Sequence, residues 1–156
     1  MTKKIYFDLD GTVYNLYGQK DWLKRLDNED ETVFKTGDFI GDYDEFMATI
    51  HKLFEKGVEF GVITWLPMYA TPSFERKCAE IKKDWIYKYL PFVNEIHIIP
   101  YGIPKQQAIL KKTDLMVLID DNKEVCFQWN NSRNRISLNV GENSATDLLK
   151  QFYETL

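Results

Sequence analysis

Short apolar runs along this chain alternate with stretches of helical period, and the switches mark its elements. The apolar triplet Ile5-Tyr6-Phe7 predicts a short buried strand. Asp42-Tyr43-Asp44-Glu45 reads as a capping box. Phe46, Ile50, Leu53 and Phe54 follow at helical spacing, and Gly57 supplies the stop. Val58 to Thr64 predicts a second buried strand. Thr71-Pro72 opens another helix, with proline at its first position, and Phe74, Cys78, Ile81, Trp85 and Tyr89 form its apolar stripe. Glu95 to Ile99 predicts a third strand and Lys105 to Lys111 a short helix. Leu115 to Ile119 is wholly apolar, as a strand covered on both faces should be. Asn122 to Trp129 reads as helical and Arg135 to Leu138 as a last short strand. Ser144-Ala145-Thr146-Asp147 caps a C-terminal helix with Leu148, Leu149 and Phe152 inward. The stretch from Tyr14 to about Gly41 follows neither period. It is polar and dotted with aromatic residues.

Alternating strands and helices predict an α/β fold, a Rossmann-like doubly wound parallel sheet with helices on both sides. The expected organisation is one domain over residues 1–156, with a small insertion after the first strand at about 14–41. In such folds ligands bind beyond the carboxyl ends of the strands. The residues just after each strand are therefore the ones that bear on function.

Composition narrows the classes. The chain has 156 residues, enough for one domain with its own core. A formal net charge of -4 offers no broad basic footprint for duplex nucleic acid. Cys78 and Cys126 stand far apart, with no metal-ligand spacing, and read as free thiols in a reducing compartment. No apolar run approaches membrane-spanning length, so no membrane partner is expected. Met1-Thr2-Lys3-Lys4 leads straight into the first strand without a signal-peptide core. A cytoplasmic location is the expectation.

The chemistry begins at Asp8-Leu9-Asp10-Gly11-Thr12. In an extended chain, side chains two residues apart point the same way, so Asp8 and Asp10 should face one spot. Gly11 lets the backbone turn and approach whatever sits there. Two clustered carboxylates repel, and a divalent cation with oxygen ligands is the natural compensation. Thr64-Trp65 ends the second strand, Lys105 lies beyond the third, and Asp120-Asp121-Asn122 ends the fourth. Carboxylates, a hydroxyl and an ammonium would gather at one rim. Mg²⁺ held by carboxylates, with Thr and Lys nearby, makes a site for a phosphoryl group.

These motifs, in this order, resemble those of the haloacid dehalogenase-like superfamily of Mg²⁺-dependent phosphohydrolases. Asp8-Leu9-Asp10-Gly11-Thr12 is similar to its first motif, Val62-Ile63-Thr64 to its second, Lys105 to its third and Leu118-Ile119-Asp120-Asp121 to its fourth. The last takes the Asp-Asp form, where other members carry Gly-Asp-x-x-x-Asp. The resemblance implies that Asp8 is the nucleophile, forming an aspartyl-phosphate. It implies that Asp10 is the general acid and then the base. Thr64 would hydrogen-bond a phosphoryl oxygen, and Lys105 would neutralise charge on that group and on Asp8. Asp8, the backbone carbonyl of Asp10 and Asp120 would hold Mg²⁺, with Asp121 acting through water or orienting the shell. Gly11 and Thr12 would lie against the substrate, with Thr12 equally suited to steady the turn.

In this superfamily substrate choice sits mainly in cap insertions, and residues 14–41 would make only a small cap over an open site. Trp22 in that cap and Trp65 after the second motif could stack on a nucleobase, or the aromatics could hold the cap together. The layout is similar to small phage and bacterial members related to 5′-nucleotidases and 5′(3′)-deoxyribonucleotidases. The expected partner is a small phosphate ester such as a nucleoside 5′-monophosphate. Two other readings compete. One is a phosphatase for nucleic-acid 3′ ends, for which Lys20, Lys24 and Arg25 could form a local patch. The other is a binding or regulatory module that retains the fold. Lys82, Lys83 and Lys88 read as the solvated face of their helix.

Overall fold

The computed structural model describes residues 1–156. β1 (Lys3–Phe7) is the centre of a five-stranded sheet that also contains β2 (Val58–Trp65), β3 (Glu95–Ile99), β4 (Leu115–Asp120) and β5 (Arg135–Asn139). All pairings are parallel, and the order across the sheet is β3-β2-β1-β4-β5. Phe7 is in register with Val62 on one side and Ile119 on the other, so the three central strands end at nearly the same level. The chain builds outward from β1 to β2 and β3, then crosses to β4 and β5. Such a reversal places the opening for a ligand between β1 and β4, at their carboxyl ends.

Right-handed crossovers put helices built in opposite directions on opposite faces. α2 (Tyr43–Glu55) and α3 (Pro72–Tyr89) follow the leftward turns. α4 (Lys123–Trp129) follows the rightward one, and α5 (Ala145–Glu154) returns beside α2. Two cores result from the alternation of β1. Ile5 and Phe7 join Phe60, Val62, Val117 and Ile119 under the larger group of helices. Tyr6 joins Ile63, Met116, Leu118 and Trp129 beneath α4. On the first face Phe7 stacks on Phe60 with centroids 6.1 Å apart and meets Phe46 edge-on at 5.6 Å.

The helix starts follow the expected caps. Asp42 accepts from the Glu45 amide, Thr71 from that of Phe74, and Asn122 from those of Glu124 and Val125, but the Glu45 carboxylate pairs with Lys150 instead of closing the box predicted at Asp42. The reciprocal capping box forms at Ser144 and Asp147. The predicted helix at Lys105 to Lys111 is instead a single 3₁₀ turn, Lys105–Ala108, after which Ile109 is extended. That segment has no apolar stripe to bury along a further turn. The segment between β1 and α2 contains a short helix, α1 (Trp22–Asp27), and a 3₁₀ turn, Glu31–Phe34, that periodicity did not signal. Both are held by Arg25, which donates to Asp30, Thr32, Thr36 and Gln19. Arg25 is thus a brace rather than part of a free basic patch. Cys78 and Cys126 are buried free thiols. No helix is long and apolar enough to cross a membrane.

Candidate active site

Asp8 leaves the end of β1 and its amide donates to the carbonyl of Ile119. The next residues wrap one carbonyl: the amides of Thr12, Val13 and Tyr14 all donate to Leu9 O, at 3.0, 3.0 and 2.9 Å. This tight turn requires a left-handed residue, and Gly11 provides it at φ 80°. The turn returns Thr12 to Asp8, where its hydroxyl donates to Oδ2 at 3.0 Å. Thr12 is buried, so its contact is with Asp8 and the turn.

Lys105 enters from the turn after β3. Its Nζ donates to Asp8 Oδ1 at 2.8 Å and to Asp120 Oδ2 at 2.6 Å. Trp65 brackets the loop that carries it: the indole N–H donates to Ile103 O at 2.8 Å, and the ring lies 5.5 Å below the ammonium. Asp120 ends β4. Its Oδ1 accepts from the Asn122 amide at 2.9 Å, so both of its oxygens are engaged. Asp121 projects over Gly11. Carboxylate oxygens of Asp8, Asp120 and Asp121 lie within 4.8 Å of one another.

Three carboxylates around one ammonium leave an excess of negative charge. Burial and the charge of Asp8 push the Asp120 carboxyl up to about 6, against the pull of Lys105. Burial, then Asp8 and Asp120, push Asp121 up to about 8. Burial alone would lower Lys105, but the charges of Asp8 and Asp120 more than offset it and hold the ammonium above its ordinary range. An all-oxygen donor set short of positive charge suits a hard cation such as Mg²⁺.

Asp10 has different partners. Its Oδ2 accepts from Lys82 Nζ at 2.8 Å, and Lys82 also donates to Thr64 Oγ1 at 3.0 Å. The carboxylate of Asp10 therefore stands apart from the acidic trio, although Asp8 and Asp10 line the same cavity. Its Oδ1 is buried without a partner. Burial pushes the Asp10 carboxyl up, Lys82 opposes it, and the charge of Asp8 adds to the rise. Thr64 is fully buried and does not line the cavity; its hydroxyl meets Lys82 instead. Lys82 corrects the expectation of a solvated lysine face, because it is only 2% exposed. Its signal lay in the spacing: Phe74, Cys78, Lys82 and Ile86 are four apart and share the buried stripe of α3.

The cavity has a volume of about 650 Å³. Asp8, Asp10, Lys105, Asp120 and Asp121 lie at one end. Trp22, Tyr17 and Leu26 line it from the segment between β1 and α2, and Leu66 to Ala70 from the loop after β2. Tyr17 and Trp22 meet edge-on with centroids 4.9 Å apart. Of the other aromatic residues of the 14–41 segment, Tyr14 is buried in packing, Phe39 lies against Phe46 and Trp85, and Phe34, also buried, borders the cavity. Lys105 is the single lysine or arginine in the lining, to which Asp27 and Glu29 add two further carboxylates. Lys20 and Lys24 are outside it.

No family model and no curated protein matches the sequence. Among solved structures, the chain is similar to a D,D-heptose 1,7-bisphosphate phosphatase from Burkholderia thailandensis, with a TM-score of 0.50 and 9% identity over 97% of this chain and 98% of that one. At that identity the likeness speaks for the fold. The chain has the parallel, Rossmann-like α/β architecture that its alternating strands and helices predict.

Proposed function

We propose that the protein is a Mg²⁺-dependent phosphomonoesterase that works through an aspartyl-phosphate, on a nucleoside 5′-monophosphate or a similarly sized phosphate ester. The observation that carries this reading is the Asp8 carboxylate, held by Lys105 and Thr12 beside Asp120 and Asp121 at the end of a substrate-sized cavity. The fold shared with a sugar-phosphate phosphatase agrees with it.

Asp8 attacks phosphorus through a carboxylate oxygen, the bond from phosphorus to the ester oxygen breaks, and Asp10 gives that oxygen its proton. Water then attacks the phosphorus of the aspartyl-phosphate and passes a proton to Asp10. The bond to Asp8 breaks, and inorganic phosphate leaves. Lys105 offsets charge on the phosphoryl oxygens and on Asp8. A Mg²⁺ ion held by these carboxylates would supply further positive charge to the transferring group. Asp8, Asp120 and Asp121, whose carboxylate oxygens converge, would hold it, together with the backbone carbonyl of Asp10.

Substrate size and charge follow from the walls. A cavity whose lining carries Asp27 and Glu29 in addition to the acidic cluster, with Lys105 its single lysine or arginine, repels additional phosphates. That favours a single phosphate on a compact, partly apolar leaving group over a nucleic-acid end. Trp22 and Tyr17 in the 14–41 cap are the surfaces on which a base would rest.

The test is phosphate release with Mg²⁺ across nucleoside and deoxynucleoside monophosphates, sugar phosphates and a 3′-phosphorylated oligonucleotide, with Asp8→Asn as the blank. The expected result is release from a monophosphate that stops with EDTA and returns with Mg²⁺. Chelator-resistant turnover would overturn the metal role. No release above the blank would leave a binding module.

A further inference from the structure

Lys82 is a buried ammonium whose place the mechanism above does not explain. It reaches from the middle of α3 to the mouth of β1, with Asp10 Oδ2 at 2.8 Å and Thr64 Oγ1 at 3.0 Å. The ring of Phe34, from the 14–41 segment, closes over it with its centroid 4.6 Å from Nζ. A buried cation is tolerated where its donors are satisfied, and here a carboxylate, a hydroxyl and an aromatic face surround it. The two lysines of the site have separate tasks. Lys105 touches Asp8 and Asp120 and does not touch Asp10; Lys82 touches Asp10.

Asp10 is left with its two oxygens in different states. Oδ2 is clamped, while Oδ1 is buried with nothing to bond. Asp10 also lines the cavity, so the clamp sets the direction in which its carboxyl group faces a ligand there. The clamp also keeps Asp10 from turning toward the acidic trio. We propose that Lys82 is a positioning residue for Asp10, fixing the orientation of its carboxyl group at the cavity wall so that it meets the ester oxygen and then the attacking water. The proposal rests on the phosphatase reading. Thr64 and Phe34 are the supports of Lys82, so the end of β2 and the cap act on the reaction through it.

The experiment compares Lys82→Met and Lys82→Arg on two esters. p-Nitrophenolate departs without a proton, whereas the alcohol of a simple alkyl phosphate must receive one. In Lys82→Met the first turnover of p-nitrophenyl phosphate should be nearly unchanged, and turnover of the alkyl ester should fall by about tenfold or more. Water attack should slow as well, so p-nitrophenolate should appear as a burst approaching one equivalent per enzyme. KM should change by less than about threefold, Lys82→Arg should restore part of the loss, and Lys82→Met should add nothing in an Asp10→Ala background.

Equal losses on both esters without a burst, or losses that add to those of Asp10→Ala, would overturn the proposal. If Lys82→Met does not fold, Thr64→Val removes the other support of Lys82. It should give the same split between esters, and equal losses there would be equally fatal. Absence of Asp8-dependent turnover in the unaltered protein overturns the phosphatase reading, and this proposal with it. Turnover in which neither Lys82 nor Thr64 distinguishes the esters overturns the proposal alone.

Discussion

Gly11 is in direct contact with Asp121: a Cβ on Gly11 would lie 2.2 Å from Asp121 Oδ2. The glycine is also in the left-handed region, at φ 80°. Any side chain there is strained twice, by the backbone and by the carboxylate it meets. Gly11→Ala should cost about 1–3 kcal/mol of stability. It should also displace Asp121 and weaken Mg²⁺ binding by about tenfold. Denaturant melts and metal titration by calorimetry measure the two effects separately.

Asp8→Asn should abolish turnover while the protein stays folded, because the amide is a poor nucleophile and still fits between Lys105 and Thr12. A thermal melt within a few degrees of the unaltered protein, with no phosphate release, is the expected pair of results. Retained activity would rule out the covalent intermediate.

Trp22 is half-buried against Tyr17 and faces the cavity. If it supports a base, Trp22→Ala should raise KM for nucleoside monophosphates by about tenfold. KM for p-nitrophenyl phosphate should change much less. Equal changes on both substrates would assign the ring to packing.

Glu95 sets an acid-dependent part of stability. Burial alone would raise its carboxyl, but hydrogen bonds and charge from Lys4 and His97 outweigh it and hold the group below its ordinary value. A carboxyl with a lowered folded-state pKa stabilises the protein above its unfolded value, about 4.3. That contribution fades as pH falls through the folded value. Glu95→Gln should therefore lower the melting temperature at pH 7, and the gap should close as the pH drops below about 4.

Tyr6 lies across Gly61, with ring carbons 2.9 Å from the position of a Cβ, and its hydroxyl donates to Glu95. Gly61→Ala should push the ring off β2 and destabilise the protein by about 1–3 kcal/mol, read from denaturant melts.

The strands and helices were legible because β1 and β4 carry unbroken apolar runs, β2 is interrupted by a single charged residue, Glu59, and each long helix carries its own cap. The front carboxylates were legible because the parallel sheet places whatever follows β1 and β4 at one rim. Lys82 was hidden among neighbouring lysines of α3, where charge suggested solvent and only the four-residue spacing from Cys78 and Ile86 suggested burial. Thr64 stands where its motif puts it, at the end of β2, yet its side chain meets that lysine, a partner from a helix that no local pattern could name. The short helix and turn between β1 and α2 are shaped by Arg25 and its polar partners rather than by an apolar period, so periodicity had nothing to report there.

The order of the strands has a consequence for assembly. β1 emerges first during synthesis, yet it is the middle of the sheet, and one of its neighbours, β4, begins only at Leu115. Until then the strand that ends in Asp8 has one open edge, and Asp120 and Asp121 do not exist. The amide of Asp8 finds its acceptor, Ile119, across that late seam. Closing a loop of that length is slow and must precede any metal binding. A nascent chain stopped before Leu115 would expose an unpaired apolar edge to other chains, so the stretch between Ile99 and Leu115 marks the interval in which this protein most depends on being shielded from its neighbours.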